Sequence, residues 1–213
     1  MSIDLKAVIG LGNPGTDHAR TRHNAGFWFA DALAGEFGGP GGSRNFRKEA
    51  RFHGHLAEIT VGDTRLWLLK PSTYMNGSGR AVQALMAFHK VAPGQILVAH
   101  DELDLPAGTA RLKLGGGHGG HNGLRDLHEQ IGADYRRLRL GVGHPGEKQL
   151  VTNYLTSGRP STADQKLIDE AIGAAVEALP LALRNWEKAT QQLHSRPLPV
   201  EGGQSGSLPE GAE

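Results

Sequence analysis

The stretch Lys6-Ala7-Val8-Ile9-Gly10-Leu11-Gly12-Asn13-Pro14-Gly15 decides the fold class. Its apolar run is short and reads as a buried strand. Gly10, Gly12 and Gly15 fit the G-x-G-x-x-G dinucleotide pattern. That pattern needs a helix to open within the glycines, so that its first N–H groups face a pyrophosphate. Here Pro14 follows Asn13, and a polar loop continues to Arg22 before helical spacing begins. The acidic residue expected about 20 positions on should end a second strand, whereas Asp31 and Glu36 fall within a helical pattern. A nicotinamide site is therefore disfavoured.

Beyond this strand, Phe27, Ala30, Leu33 and Phe37 recur at helical spacing and predict a helix over about 24–37. Gly38 to Ser43 reads as a flexible loop. Phe52 to Val61 and Thr64 to Lys70 read as strands joined by a turn at Gly62-Asp63. Gly77 to Lys90 is a second helix, stopped by Pro93-Gly94, and Gln95 to His100 is an apolar strand of the parallel type. Thr109 to Leu114 is a strand, 123–131 a helix, and Tyr135 to Val142 an alternating strand. Ser161 to Asp164 resembles a capping box, opening a long helical region to about Leu193 that is interrupted near Pro180. Strands alternating with helices predict an α/β fold: a single domain with a twisted, mostly parallel mixed sheet flanked by helices on both faces. The domain is expected over 1–195. The stretch 196–213 is rich in Pro, Gly, Ser and Glu and is expected to be a disordered tail.

With 213 residues, 38% of them hydrophobic, the chain suits one core. It has no cysteine, which excludes disulfides, thiolate metal sites and a cysteine nucleophile. It has neither an apolar run of about 18 residues nor an apolar leader, so a cytoplasmic protein is expected. The formal net charge of +1 does not announce a nucleic-acid binder, so any such role rests on local basic clusters.

Sites in parallel sheets gather outside the carboxyl ends of strands. Asn13, Asn76 and Asp101 are expected just after strand ends, and His23 follows the loop leaving the first strand. Histidine changes charge near neutrality, and a carboxylate bonded to one ring nitrogen fixes the tautomer and raises the basicity of the other. On its own, Asp101 reads first as a turn-capping residue. Asn13 fits a turn, and Asn76 and Asn122 fit helix N-caps, yet their amides are also suited to binding an oxyanion or a substrate carbonyl. His118 and His121 are three apart, a weak zinc spacing with no third or fourth ligand in view. His128-Glu129-Gln130-Ile131-Gly132 fails H-E-x-x-H at its last position, so no metal is expected. Gly77-Ser78-Gly79 is not the hydrolase nucleophile elbow. Arg136, Arg137 and Arg139 share one strand. Such residues usually solvate a surface, but Lys113 and Arg139 would clamp a phosphate if their strands are neighbours.

Five motifs in order resemble bacterial peptidyl-tRNA hydrolases: Gly10 to Gly15, Thr21-Arg22-His23-Asn24-Ala25-Gly26, Lys70 to Gly79, His100-Asp101-Glu102-Leu103-Asp104, and Gly115 to Gly123. The resemblance runs from about Lys6 to His194. It implies a monomeric α/β enzyme of translation and ribosome rescue, with no cofactor, that cleaves the ester joining a peptide to tRNA. Its partner would be peptidyl-tRNA, held by its acceptor arm and 3′ end. By resemblance His23 is the general base, Asp101 its stabilising partner, and Asn13 the residue separating blocked from free aminoacyl-tRNA. His18, Tyr74, Asn76 and Asn122 match substrate-binding positions, and Asn24, Met75 and His121 line the same cleft. Lys113 and Arg139 match a clamp on the tRNA 5′-phosphate. His18 stands where the family usually has Tyr, and Tyr74 where Phe is frequent.

Overall fold

A computed structural model describes residues 2–197. One seven-stranded sheet runs in the order β2-β3-β4-β1-β5-β7-β6. Its centre is parallel: β1 (Ala7–Gly10) lies between β4 (Thr64–Pro71) and β5 (Ile96–Glu102), and β7 (Arg136–Gly141) continues beyond β5. Antiparallel strands finish both margins, β3 (Gly54–Val61) with β2 (Arg47–Glu49) at one side and β6 (Ala110–Leu114) at the other. The mixed, centrally parallel sheet matches the fold class expected from the sequence.

Alternation along the strands builds two cores. Val8, Leu97, Ala99 and Leu138 face α1 (Ala25–Phe37), α5 (Thr162–Arg184) and α6 (Trp186–His194), packing on Phe29, Leu33, Ile172 and Leu193. Ala7, Ile9, Ile96 and Val98 face α2 (Ser78–His89) and α3 (Asn122–Ile131), packing on Val82, Leu85, Leu124 and Leu127. Both faces are therefore covered, which is why β5 reads as an unbroken apolar run.

The first glycines serve packing. A Cβ on Gly10 would lie 2.3 Å from the Gly26 carbonyl oxygen, and one on Gly26 would lie 2.3 Å from that of Ala99. Only glycine lets α1 cross the sheet this closely. No helix opens within the Gly10–Gly15 run; a short 3₁₀ turn, Arg22–Asn24, leads into α1 instead.

Two expectations need correction. Pro180 does not interrupt the long helix. It lies inside α5, and the break falls at Asn185, whose side chain accepts from the Lys188 N–H at 3.0 Å to cap α6. An interior proline removes one helical hydrogen bond, but Val176, Leu179, Ala182 and Leu183 are buried around it and hold the helix together. Gly39–Asn45, read in part as a flexible loop, forms 3₁₀ turns. Two elements escaped notice: β2, three charged exposed residues with no alternation to read, and α4 (Val151–Thr156), too short to show a period. The expected tail lies, from residue 198 on, outside the described residues. No helix among the described residues is long and apolar enough to cross a membrane.

Candidate active site

At the carboxyl end of the sheet, three segments meet. His23 comes from the 3₁₀ turn before α1. Asp101 is the penultimate residue of β5 rather than a residue beyond it. His121 stands at the start of α3. His23 Nδ1 lies 2.9 Å from Asp101 Oδ2, and His121 Nε2 lies 3.0 Å from Asp101 Oδ1. All three side chains are 9% exposed or less, and with His100 they line a cavity of about 440 Å³.

The helix start fixes the His121 tautomer. Its Nδ1 accepts from the backbone N–H groups of Gly123 and Leu124, at 3.1 and 3.3 Å. Nε2 must then carry the proton and donate to Asp101. His121, not Asn122, is thus the N-cap of α3, which corrects the cap reading of Asn122. Asn76 is no cap of α2 either: it sits in the 3₁₀ turn Met75–Gly77, and Gly77 holds the cap position.

With two N–H donors on one carboxylate, Asp101 is ionised. Burial pushes its carboxyl up, but the two imidazoles, by charge and hydrogen bond, pull it far below the usual range. Burial pushes the His23 imidazole down, and the Asp101 charge and hydrogen bond more than offset this, leaving it raised. Nδ1 of His23 is committed to Asp101, so Nε2 is the atom that remains basic.

His23, Asp101 and His121 also form a cluster whose ligand atoms lie within 4.8 Å of one another. The donor chemistry does not suit a metal. A metal would need the Nε2 lone pair of His121, and that nitrogen holds the proton because Nδ1 already accepts two bonds.

A second network fixes the amides. The Asn24 side chain bonds both ways with the Asn13 backbone: its Oδ1 accepts from the Asn13 N–H at 2.8 Å and its Nδ2 donates to the Asn13 carbonyl at 2.9 Å. Asn13 Oδ1 in turn accepts from the Met75 N–H at 2.8 Å. The Asn13 amide is therefore oriented, with Nδ2 left as the donor. A Cβ on Gly123 would fall 2.6 Å from Met75 Sδ, so Met75 packs tightly on the turn that carries His121 and Asn122. Asn76 and Asn122 are exposed, and Asn122 Oδ1 accepts from Arg125 at 3.1 Å. Tyr74 is 65% exposed, and the His18 ring stands edge-on to it at 6.3 Å.

Neither member of the basic pair lines this cavity. β6 and β7 are neighbours, as a phosphate clamp requires, but in register Lys113 faces Arg137 and Arg139 faces Arg111. Arg139 Nε donates to Glu102 at 2.8 Å. Arg137 is no surface residue. It is 3% exposed and donates to the carbonyls of Gly116 and Gly117, stapling the glycine loop to the sheet.

Sequence reasoning passed over His100. It is buried, its Nδ1–H donates to the Asp101 carbonyl at 2.8 Å, and its ring packs edge-on to His121 at 5.2 Å. Burial holds its pKa down to about 3. The available signal was a histidine inside an apolar strand, where a polar side chain needs a reason.

Known proteins similar to this chain are peptidyl-tRNA hydrolases. A peptidyl-tRNA hydrolase of Neisseria meningitidis serogroup B is 50% identical over 198 residues, covering 92% of this chain and 100% of its own length. One of Azoarcus sp. is 49% identical over 197 residues, covering 91% of this chain and 86% of its own. The crystal structure of peptidyl-tRNA hydrolase from Acinetobacter baumannii superposes with a TM-score of 0.85 at 41% identity, over 92% of this chain and 97% of that one. Residues 7–200 match the family model described as peptidyl-tRNA hydrolase, and the chain belongs to that family.

Proposed function

We propose that this chain hydrolyses the ester between a peptide, or an N-blocked amino acid, and tRNA, with His23 as general base. Water, held by His23 Nε2, gives up a proton as its oxygen attacks the ester carbonyl carbon. General-base help of this kind contributes about 10²–10⁴-fold. The tetrahedral oxyanion then collapses, the bond from carbon to the ribose oxygen breaks, and the proton on His23 passes to that oxygen. Free tRNA and a peptide acid leave. Asp101 stabilises the imidazolium in between and keeps Nδ1–H in place; His121 keeps Asp101 ionised. An ester has a good enough leaving group that no covalent nucleophile is needed.

Asn13 Nδ2 donates to the carbonyl of the blocking group. A free α-ammonium there would put a charge where the site presents an amide donor, and a mismatched polar group can be strongly rejected. Asn76 and Asn122 bind substrate and steady the oxyanion, worth about 10²–10³-fold per well-placed donor. His18 and Tyr74 contact the 3′ end, Asn24 and Met75 support the cleft, and Lys113 with Arg139 takes the 5′-phosphate. The chain acts as a monomer in the cytoplasm.

The observation that carries this reading is the His23–Asp101–His121 array, whose hydrogen bonds leave one nitrogen basic beside a cavity. Assay of purified protein on N-acetyl-aminoacyl-tRNA and on free aminoacyl-tRNA tests it. Rapid release from the first and slow release from the second is expected; equal rates, or none, would overturn it.

A further inference from the structure

The turn that presents His23 carries a second buried side chain on which the mechanism above does not draw. Arg22 is 5% exposed. Its guanidinium carbon lies 3.8 Å from the centroid of the Tyr154 ring, and its Nη2 donates to Asp164 Oδ2 at 3.1 Å. Tyr154 belongs to α4, and its hydroxyl donates to the Val142 carbonyl at 2.7 Å, just past the end of β7. Asp164 lies in the first turn of α5, where Ser161 caps its backbone N–H. One planar cation thus ties the catalytic turn to two later helices.

The position of α4 gives this tie a consequence. Val151, Thr152, Leu155 and Thr156 line the same cavity as His23, and α4 supplies that part of its wall. Yet α4 is only six residues long, and just one of them, Leu155, is buried. So short a helix is not stable by its own hydrogen bonds. Its place must come from side-chain contacts, and the stack of Tyr154 on Arg22 joins it directly to the turn holding the base.

We propose that Arg22 is a positioning residue that sets the distance between His23 and the α4 wall, and hence the width of the substrate cleft. This inference rests on His23 being the base. Arg22 acts on substrate fit and leaves the imidazole's basicity to Asp101. The guanidinium is needed for its plane: it stacks on the ring while reaching the carboxylate, which a lysine ammonium cannot do.

Two measurements on the full chain test it. Hydrogen exchange of the α4 amides is followed in Arg22→Ala, Tyr154→Leu and Tyr154→Phe. Turnover of N-acetyl-aminoacyl-tRNA is followed as kcat, KM and pH profile. In Arg22→Ala and Tyr154→Leu, α4 exchange should quicken about tenfold or more, as a locally loosened element does. KM should rise about tenfold while kcat changes less than about threefold, with the inflection in pH unmoved. Tyr154→Phe keeps the ring but gives up the hydroxyl's bond to the Val142 carbonyl, so it should lose less than Tyr154→Leu, and the double variant should fall short of the product of the two single losses. Should Arg22→Ala fold poorly, Tyr154→Leu reads the same contact from the half-buried side. Unchanged α4 exchange, multiplying effects in the double variant, or a loss in kcat with a shifted pH inflection would overturn the proposal. If the parent shows no turnover, the functional reading fails, and exchange alone still decides whether Arg22 braces α4.

Discussion

His23 Nδ1 and Asp101 Oδ2 stand 2.9 Å apart, with relative side-chain exposures of 7% and 1%. In so dry a setting the carboxylate decides what the imidazole does. Burial alone would favour a neutral ring; the adjacent charge reverses that and raises its pKa. A base acts only when unprotonated, so turnover should rise with pH through this raised value and then level off. Asp101→Asn keeps the size of the side chain but removes the charge. Burial then acts unopposed, and the inflection should move to lower pH while the plateau falls about 10²-fold or more, as His23 loses its orienting charge. A pH–rate profile of both proteins checks this, and an unmoved inflection would show that Asp101 does not set the basicity of His23.

His100 should make the fold acid-sensitive. Its folded pKa of about 3 lies below its ordinary value of 6.5. Between those values the unfolded chain binds a proton that the folded chain refuses. Stability from this group is therefore complete above about pH 6.5 and is lost as pH falls, by at most about 1.4 kcal/mol per pH unit. His100→Asn retains an N–H donor for the Asp101 carbonyl and removes the titration. Urea melts from pH 7 to pH 4.5 should show a shallower fall in the variant, by up to one proton's worth of slope. Parallel falls would mean that His100 takes up its proton without unfolding the chain.

Asn13→Asp should cost selectivity. The new side chain still accepts the Met75 N–H but presents an oxygen where Nδ2 stood. Release from N-acetyl-aminoacyl-tRNA should drop about 10²-fold, and its advantage over free aminoacyl-tRNA should shrink, because an ammonium now meets a carboxylate. The ratio of kcat/KM for the two substrates measures this. An unchanged ratio would remove Asn13 from discrimination.

Lys113→Ala should weaken tRNA substrates more than a short peptidyl-nucleotide, and should lower the salt dependence of tRNA binding by about one phosphate contact. Arg139 is tied to Glu102 in this structure, so the effect of Lys113 on a 5′-phosphate should be the larger of the two. Equal losses on both substrates would dismiss the clamp.

Much of this was legible in the sequence because its signals are local. The apolar runs of β1 and β5 and the spacing in α1 are set by burial on known faces, and each fell within a few residues of its place. The His23–Asp101 pair spans 78 residues, yet both ends were readable, since each follows or closes a strand at the same edge of a parallel sheet. Contacts decided only by packing were not readable. Pro180 looks like a breaker until the buried neighbours that hold α5 together are seen. Arg137 looks like a solvated charge until the glycine loop folds over it. Arg22 sits inside a recognised motif, but its partners Tyr154 and Asp164 lie more than 130 residues away, and one of them belongs to a helix too short to detect. The cap of α3 went to His121 rather than Asn122 because Asp101 fixes the ring where its Nδ1 meets two backbone donors.

The most direct measurement is turnover of N-acetyl-aminoacyl-tRNA by His23→Ala, alongside a thermal melt of the same protein. Loss of about 10²–10⁴-fold or more, with a cooperative melt retained, is expected if Nε2 takes the proton from water. Turnover within a few fold of the parent in a folded variant would contradict it.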